Sequence, residues 1–236
     1  MRPSSQTRVE RLLRASRLFS DVDDDVVIEL AASAHARELR VGEPLWRAGE
    51  VASRFTLIRS GLVKVVRHTP DGGEAIVGLF GPRESVGAAA VLGASPYPAD
   101  AVAASDVVVA LYVDASPVLR AMPRRPRTAA AMNRALLDHT RALQEKIAVM
   151  SAGSVEQRLA TLLLVLTERF GDERDDGSAV VPVRLSRHEL ARLVGATTET
   201  TSRAMSRWRR EGVVDTTADG FELRHPDRLR EVTRGE

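Results

Sequence analysis

Apolar residues recur along this chain with three different textures. From Arg8 to Ala36 the pattern is helical: Leu12, Leu13, Leu18 and Phe19 precede an acidic turn at residues 20–25, and Val26, Val27, Leu30 and Ala31 follow at helical spacing. The carboxylates just before Val26 suit a helix N-terminus. From Leu39 to Val113 short apolar runs are broken about every ten residues by glycine, proline or aspartate. Phe55 to Ile58, Leu62 to Val66, Ala75 to Phe80 and Val107 to Val113 are examples, and Asp71-Gly72 reads as a hairpin turn. Many short strands at this interval predict a β-barrel or jelly roll.

Pro117, Pro123 and Pro126 end that region, and a proline-free stretch runs from Arg127 to about Ala152. Met132, Leu136, Leu143, Ile147 and Met150 form one stripe at spacings of four, seven, four and three, with His139 and Lys146 interrupting it. A long helix with a coiled-coil-like seam follows, a natural contact for a second copy; a helix packed on its own domain is the alternative. Ser154-Val155-Glu156-Gln157 opens the next helix with a capping box, and that helix runs from Val155 to Phe170. A polar linker, residues 171–178, leads to a short strand over Val180 to Leu185.

Ser186 and Glu189 make a second capping box; Leu190, Leu193 and Val194 are the buried face of a short helix, and Gly195 ends it. Thr197 or Thr198 caps the following helix, whose apolar positions are Ala204, Met205 and Trp208, and Gly212 closes it. Two strands, Val213-Val214 and Phe221 to Leu223, flank Ala218-Asp219-Gly220. Two short helices across a glycine turn followed by a β-ribbon describe a winged helix-turn-helix. The expected fold class is therefore α+β: an N-terminal barrel or jelly roll over residues 1–123, a long dimerisation helix over 124–152 and a C-terminal winged helix-turn-helix over 153–236.

Charge sharpens this picture. From Arg184 to Gly212 seven arginines face three glutamates, +4 in a chain of net +2, which leaves −2 elsewhere. A local positive patch on a near-neutral protein is the footprint of a nucleic-acid module, although a solvated helix face would carry the same charge. The outer side of the second helix offers Thr198, Glu199, Ser202 and Arg203 as base-reading candidates. Arg203 suits the O6 and N7 acceptors of guanine, and Glu199 the N4 donor of cytosine. One helical turn separates the two, so an ordinary surface ion pair is the plain alternative. Ser186, Arg187, Thr197 and Thr200 are the candidate phosphate contacts.

Composition excludes several classes. There is no cysteine, hence no disulfide, thiolate zinc site or cysteine-held iron–sulfur cluster. No signal peptide or membrane span is expected, and a cytoplasmic location follows. No nucleophile elbow, phosphate-binding loop, zinc-protease helix or dinucleotide fingerprint is present, so an enzyme is not expected. The five histidines, His35, His68, His139, His188 and His225, lack metal-ligand spacing, and no metal site is expected.

These residues resemble the Crp/Fnr superfamily of bacterial regulators over nearly the whole chain. Residues 154–160 with Leu162-Leu163 and Arg169-Phe170-Gly171 are similar to the helix after the dimer helix, and residues 185–191 with Leu193-Val194-Gly195 to the first helix of the DNA-binding motif. Glu199-Thr200-Thr201-Ser202-Arg203 is similar to the recognition helix. Gly42-Glu43, Gly49, Gly61, Lys64, Asp71-Gly72 and Gly87 follow the glycine pattern of a cyclic-nucleotide-binding-type barrel. The resemblance implies double-stranded DNA, a second copy of the chain and RNA polymerase as partners. It also implies an Fnr-type helix reading TTGAT half-sites, with Arg203 on guanine, Glu199 on cytosine and Ser202 near a thymine. A signal in the barrel would shift the long helices and through them the two recognition helices.

The family's pocket uses Gly-Glu and Arg-Ser pairs around a cyclic phosphate; here Gly87-Ala88 and Tyr97-Pro98-Ala99-Asp100 stand in those places. Gly87, Ala88, Tyr97 and Asp100 are thus the candidate effector residues, and the departure implies that cyclic AMP does not bind in the usual way. The stretch from Ala88 to Leu92 lines a small-ligand pocket or is plain barrel core. The cofactor is left unknown. A cyclic-nucleotide- or haem-responsive regulator with an atypical pocket stays open, as does an interaction module that has lost DNA binding.

Overall fold

The computed structural model describes residues 5–68 and 74–235. The turn expected at Asp71-Gly72 lies outside them. The chain divides into two compact units, Met1–Arg67 with Gly78–Ala142, and His68–Val77 with Leu143–Glu236.

In the first unit α1 (Ser5–Arg14) and α2 (Asp24–Ser33) precede strands β1 (His35–Arg40), β2 (Pro44–Trp46), β3 (Arg54–Ser60), β4 (Val63–His68), β5 (Glu74–Phe80) and β6 (Ser85–Val86). Then come α3 (Ala88–Leu92), β7 (Asp100–Ala103), β8 (Val107–Asp114), α4 (Ser116–Ala121) and α5 (Pro126–Ser151), which from Leu143 onward belongs to the second unit. The strands form two sheets, ordered β1-β8-β3-β6 and β2-β7-β4-β5, the jelly-roll arrangement expected. Strand β8 explains its own apolar run. Val108, Ala110 and Tyr112 join the core between the sheets, with Trp46, Ile58, Val63 and Tyr97. Leu111 and Val113 face the other way and pack with Phe55 and Leu57 against Phe19, Val26, Val27 and Leu30. Successive side chains take opposite faces, and both faces are buried.

The acidic turn does more than begin α2. Asp21 pairs with Arg134 at 2.6 Å, Asp25 with Arg125 and Asp24 with Arg14. Asp23 accepts from the Thr128 hydroxyl at 2.7 Å. That hydrogen bond is the main reason the Asp23 carboxyl titrates below the ordinary aspartate range.

One residue expected in the seam, Met132, lies in the core instead. Met132 is fully buried in the first unit's core beside Phe55, Val118 and Ala131, so it has no surface to give a second helix. The remaining stripe is open: Leu136, Leu143, Ile147 and Met150 are exposed, as are His139 and the neighbouring Leu137.

The second unit adds α6 (Val155–Phe170), β9 (Asp172–Glu173), β10 (Ala179–Val181), α7 (Arg187–Val194), α8 (Thr198–Arg210), β11 (Val214–Thr216), β12 (Phe221–Leu223) and α9 (Pro226–Arg234). Its sheet runs β11-β12-β10-β9, and Leu159, Leu163, Leu166, Leu190, Val194, Met205, Trp208, Phe221 and Leu229 make the core. The strand expected over Val180 to Leu185 stops at Val181, because Pro182 has no N–H to give a partner strand. Both capping boxes form as expected, Ser154 with Gln157 and Ser186 with Glu189.

Candidate nucleic-acid interface

The helix-turn-helix is built from caps inward. Ser186 Oγ accepts from the Glu189 amide at 3.1 Å, while Glu189 Oε2 accepts from the Ser186 amide at 3.0 Å, which fixes the start of α7. Gly195 ends that helix at φ 61° and ψ 47°, the left-handed conformation that glycine adopts without strain. Its Cβ position is also occupied, since the Met150 methyl would lie 2.8 Å from it. Thr197 caps α8, its hydroxyl accepting from the Thr200 amide at 3.2 Å and lying 2.9 Å from the Thr200 hydroxyl.

Ala204, Met205 and Trp208 turn into the core with Thr201. Thr198, Glu199 and Arg203 are exposed on the opposite side, and Ser202 is half-buried between them. Arg203 donates to Glu199 at 2.9 Å. Of the phosphate candidates, Ser186 and Thr197 are exposed, Thr200 is half-buried, and Arg187 donates to the Thr216 hydroxyl of β11 at 2.9 Å. Burial, and secondly the charge of Arg209, lower the Arg187 pKa from the ordinary arginine value.

The other arginines of α8 are not equivalent. Arg207 is tied to Glu156 of α6, and Arg209 pairs with Asp215 of β11 at 3.3 Å, so both brace the motif. Arg210 has no acidic partner among the described residues. The partners of Arg207 and Arg209 lie on α6 and β11, which spacing along the chain does not reveal.

The candidate effector residues are not all brought together. Gly87 has φ 81°, and a Cβ there would meet Tyr97 at 2.8 Å and Trp46 at 2.9 Å. The Tyr97 and Trp46 rings stack with centroids 4.1 Å apart. Ala88 lies in the other core cluster, with Phe55 and Val91. Asp100 is buried, accepts from the Ala48 amide at 2.7 Å and pairs with Arg47 at 3.1 Å. Its charge is held by this partner. The stretch from Ala88 to Leu92 is helix α3, with Ala88, Ala90 and Val91 buried in core.

Residues 36–125 match the family model of the cyclic nucleotide-binding domain, and residues 157–232 match that of the Crp-like helix-turn-helix domain. The chain belongs to the Crp/Fnr superfamily. It is a transcription regulator with a helix-turn-helix DNA-binding domain. Over 204 residues it is 26% identical to the CRP-like cAMP-activated global transcriptional regulator of Mycobacterium tuberculosis, covering 86% of this chain and 90% of that one. It is 29% identical over 213 residues to the transcriptional activator protein FnrA of Stutzerimonas stutzeri, covering 89% and 81%. The structure of FixK2 from Bradyrhizobium japonicum shares the fold, with a TM-score of 0.72 at 23% identity over 84% of this chain and 96% of that one. No helix among the described residues of this Crp/Fnr regulator is long and apolar enough to cross a membrane.

Proposed function

We propose that this Crp/Fnr regulator binds, as a homodimer in the cytoplasm, a two-fold symmetric operator near TTGAT–N4–ATCAA. The observation that carries this reading is the exposed face of α8, where Arg203 and Glu199 stand one turn apart behind a helix N-terminus capped by Thr197. Arg203 reads guanine, Glu199 reads cytosine, and Ser202 and Thr198 meet the neighbouring base edges. Ser186, Arg187, Thr197 and Thr200 hold phosphates and set the register. Two such helices lie one DNA turn apart, roughly 34–36 Å.

The dimer reading is supported by the exposed Leu136, Leu143, Ile147 and Met150 on α5. Large apolar side chains left in water along one helix stripe call for a second surface. From its place on a promoter the bound dimer meets RNA polymerase.

The sensor unit does not take cyclic AMP in the usual way, although the mycobacterial relative is by its name cAMP-activated. The Ala88 side chain carries no hydrogen-bonding group, and Asp100 is already committed to Arg47 and to the Ala48 amide. Calorimetric titration with cyclic AMP tests this, and micromolar affinity would overturn it. Gel shifts with single-base variants of the operator, at about 0.15 M ionic strength, test the DNA assignment. The guanine and cytosine of each half-site should be the most sensitive positions, and equal tolerance at all positions would sink it.

A further inference from the structure

The turn of the helix-turn-helix is held from behind by two cations on two other helices. The last carbonyls of α7 have no partner within that helix, as at any α-helical C-terminus. Lys146 of α5 donates its Nζ to the Leu193 carbonyl. Arg158 of α6 donates Nη1 to the Val194 carbonyl at 2.9 Å and to the Gly195 carbonyl at 3.4 Å. Positive charge at this end of α7 also meets the negative end of its dipole. One turn beyond Lys146, Met150 fills the space that a side chain at Gly195 would need.

We infer that Lys146 is a positioning residue for operator binding: through it the last turns of α5 set the angle at which α7 presents the turn and α8 to DNA. The inference rests on the operator reading above. Two features of the chain point the same way.

Lys64 and Lys146 are the only lysines, against 32 arginines. An ammonium is a compact point donor suited to the single Leu193 carbonyl, and Arg158 serves the next two carbonyls from its Nη1. Burial lowers the Lys146 pKa, as expected of a cation taken out of water to serve a backbone acceptor. The second feature is continuity. Ile147 and Met150 of the open α5 stripe follow Lys146 within about one turn, so the surface proposed for the second copy lies beside the grip on Leu193.

The test compares wild type, Lys146→Met and Lys146→Arg in three measurements: operator affinity across a salt series, amide exchange and sedimentation. For Lys146→Met the operator affinity should fall roughly ten-fold or more, the scale of a lost charged hydrogen bond. The salt slope should stay that of wild type, because no phosphate contact is removed. Exchange at residues 193–198 should quicken while Leu159, Leu163 and Leu166 in α6 stay protected, which shows a folded core. Lys146→Arg, which keeps the charge but not the compact donor, should recover part of the affinity lost in Lys146→Met.

Wild-type affinity in Lys146→Met would overturn the inference. So would a loss accompanied by a slope smaller by about one, which marks a phosphate contact, or a loss traced to dimer dissociation. If the wild type itself binds no such operator, the operator reading fails. The exchange comparison then decides the grip alone: unchanged protection at 193–198 in Lys146→Met overturns it.

Discussion

Arg203 Nη2 donates to Glu199 Oε1 at 2.9 Å across one turn of α8, with both side chains largely exposed. An exposed pair of this spacing contributes only about 0.3–0.5 kcal/mol. A bidentate contact to a base is worth about 1–3 kcal/mol of discrimination. Exchanging the first for the second is therefore favourable, and in free protein the ion pair holds both side chains on the face proposed to meet the groove.

Arg203→Ala should accordingly weaken operator binding by about 1–3 kcal/mol, or roughly five- to 150-fold, and relax the preference for guanine at one position per half-site. Stability should move by no more than about 0.5 kcal/mol, since the side chain is largely exposed. Competition shifts with guanine-substituted operators, run beside urea unfolding, measure both. Full operator affinity in the variant would remove the arginine from base reading.

Arg187 gives a different signature. Its guanidinium is fixed on the Thr216 hydroxyl, at the junction of α7 and the wing. As a phosphate contact its loss should weaken binding to specific and unrelated DNA alike. The slope of log affinity against log salt should decrease by about one in Arg187→Ala. An unchanged slope would mean that Arg187 only braces β11.

Along α5 one periodic stripe divides into two roles. Met132→Ala removes a fully buried side chain from the first unit's core and should cost about 2–5 kcal/mol of stability. Ile147→Asp changes a residue with 63% of its surface exposed, so it should leave protomer stability nearly unchanged and raise the dimer dissociation constant. Urea unfolding and sedimentation equilibrium separate the effects. If Ile147→Asp dimerises as wild type does, the seam lies elsewhere.

Much of this is legible in the sequence, for local reasons. The capping boxes at Ser154 and Ser186, the glycine turn at 195 and the long helix from Pro126 to Ser151 are specified by residues within a few positions of one another. What escaped depends on distant partners. Helix α9 carries so many arginines and acids that its buried stripe is reduced to Pro226 and Leu229. Met132 and Ile147 have the same periodicity, yet only packing against Phe55 and its neighbours separates core from surface. Lys146 interrupts an apolar stripe in the sequence; its partner, the Leu193 carbonyl, lies 47 residues on. The partner of Asp100, Arg47, lies 53 residues away in another strand connection, so their pairing is not visible from spacing along the chain.

The two tyrosines give a reading of the barrel interior that needs no ligand. Tyr97 and Tyr112 are the only ones in the chain, and both are buried. Burial opposes the phenolate, which pushes Tyr97 up to about 12 and raises Tyr112 from its ordinary value of 10.0. The Tyr97 hydroxyl also donates to the Arg54 carbonyl at 3.1 Å, a bond lost on ionisation. A raised folded-state pKa contributes stability that is present below the unfolded value and is lost as pH rises through the folded one. The window is therefore from about pH 10 towards 12. Ultraviolet phenolate absorbance of native protein should show little ionisation at pH 10, where the urea-unfolded chain is half-ionised. Tyr97→Phe should remove the later-titrating group and flatten the alkaline loss of stability across that window. Two phenols titrating at 10 in the native protein would mean that the stacked Trp46–Tyr97 pair is open to water, and with it the space that Gly87 leaves free of a side chain.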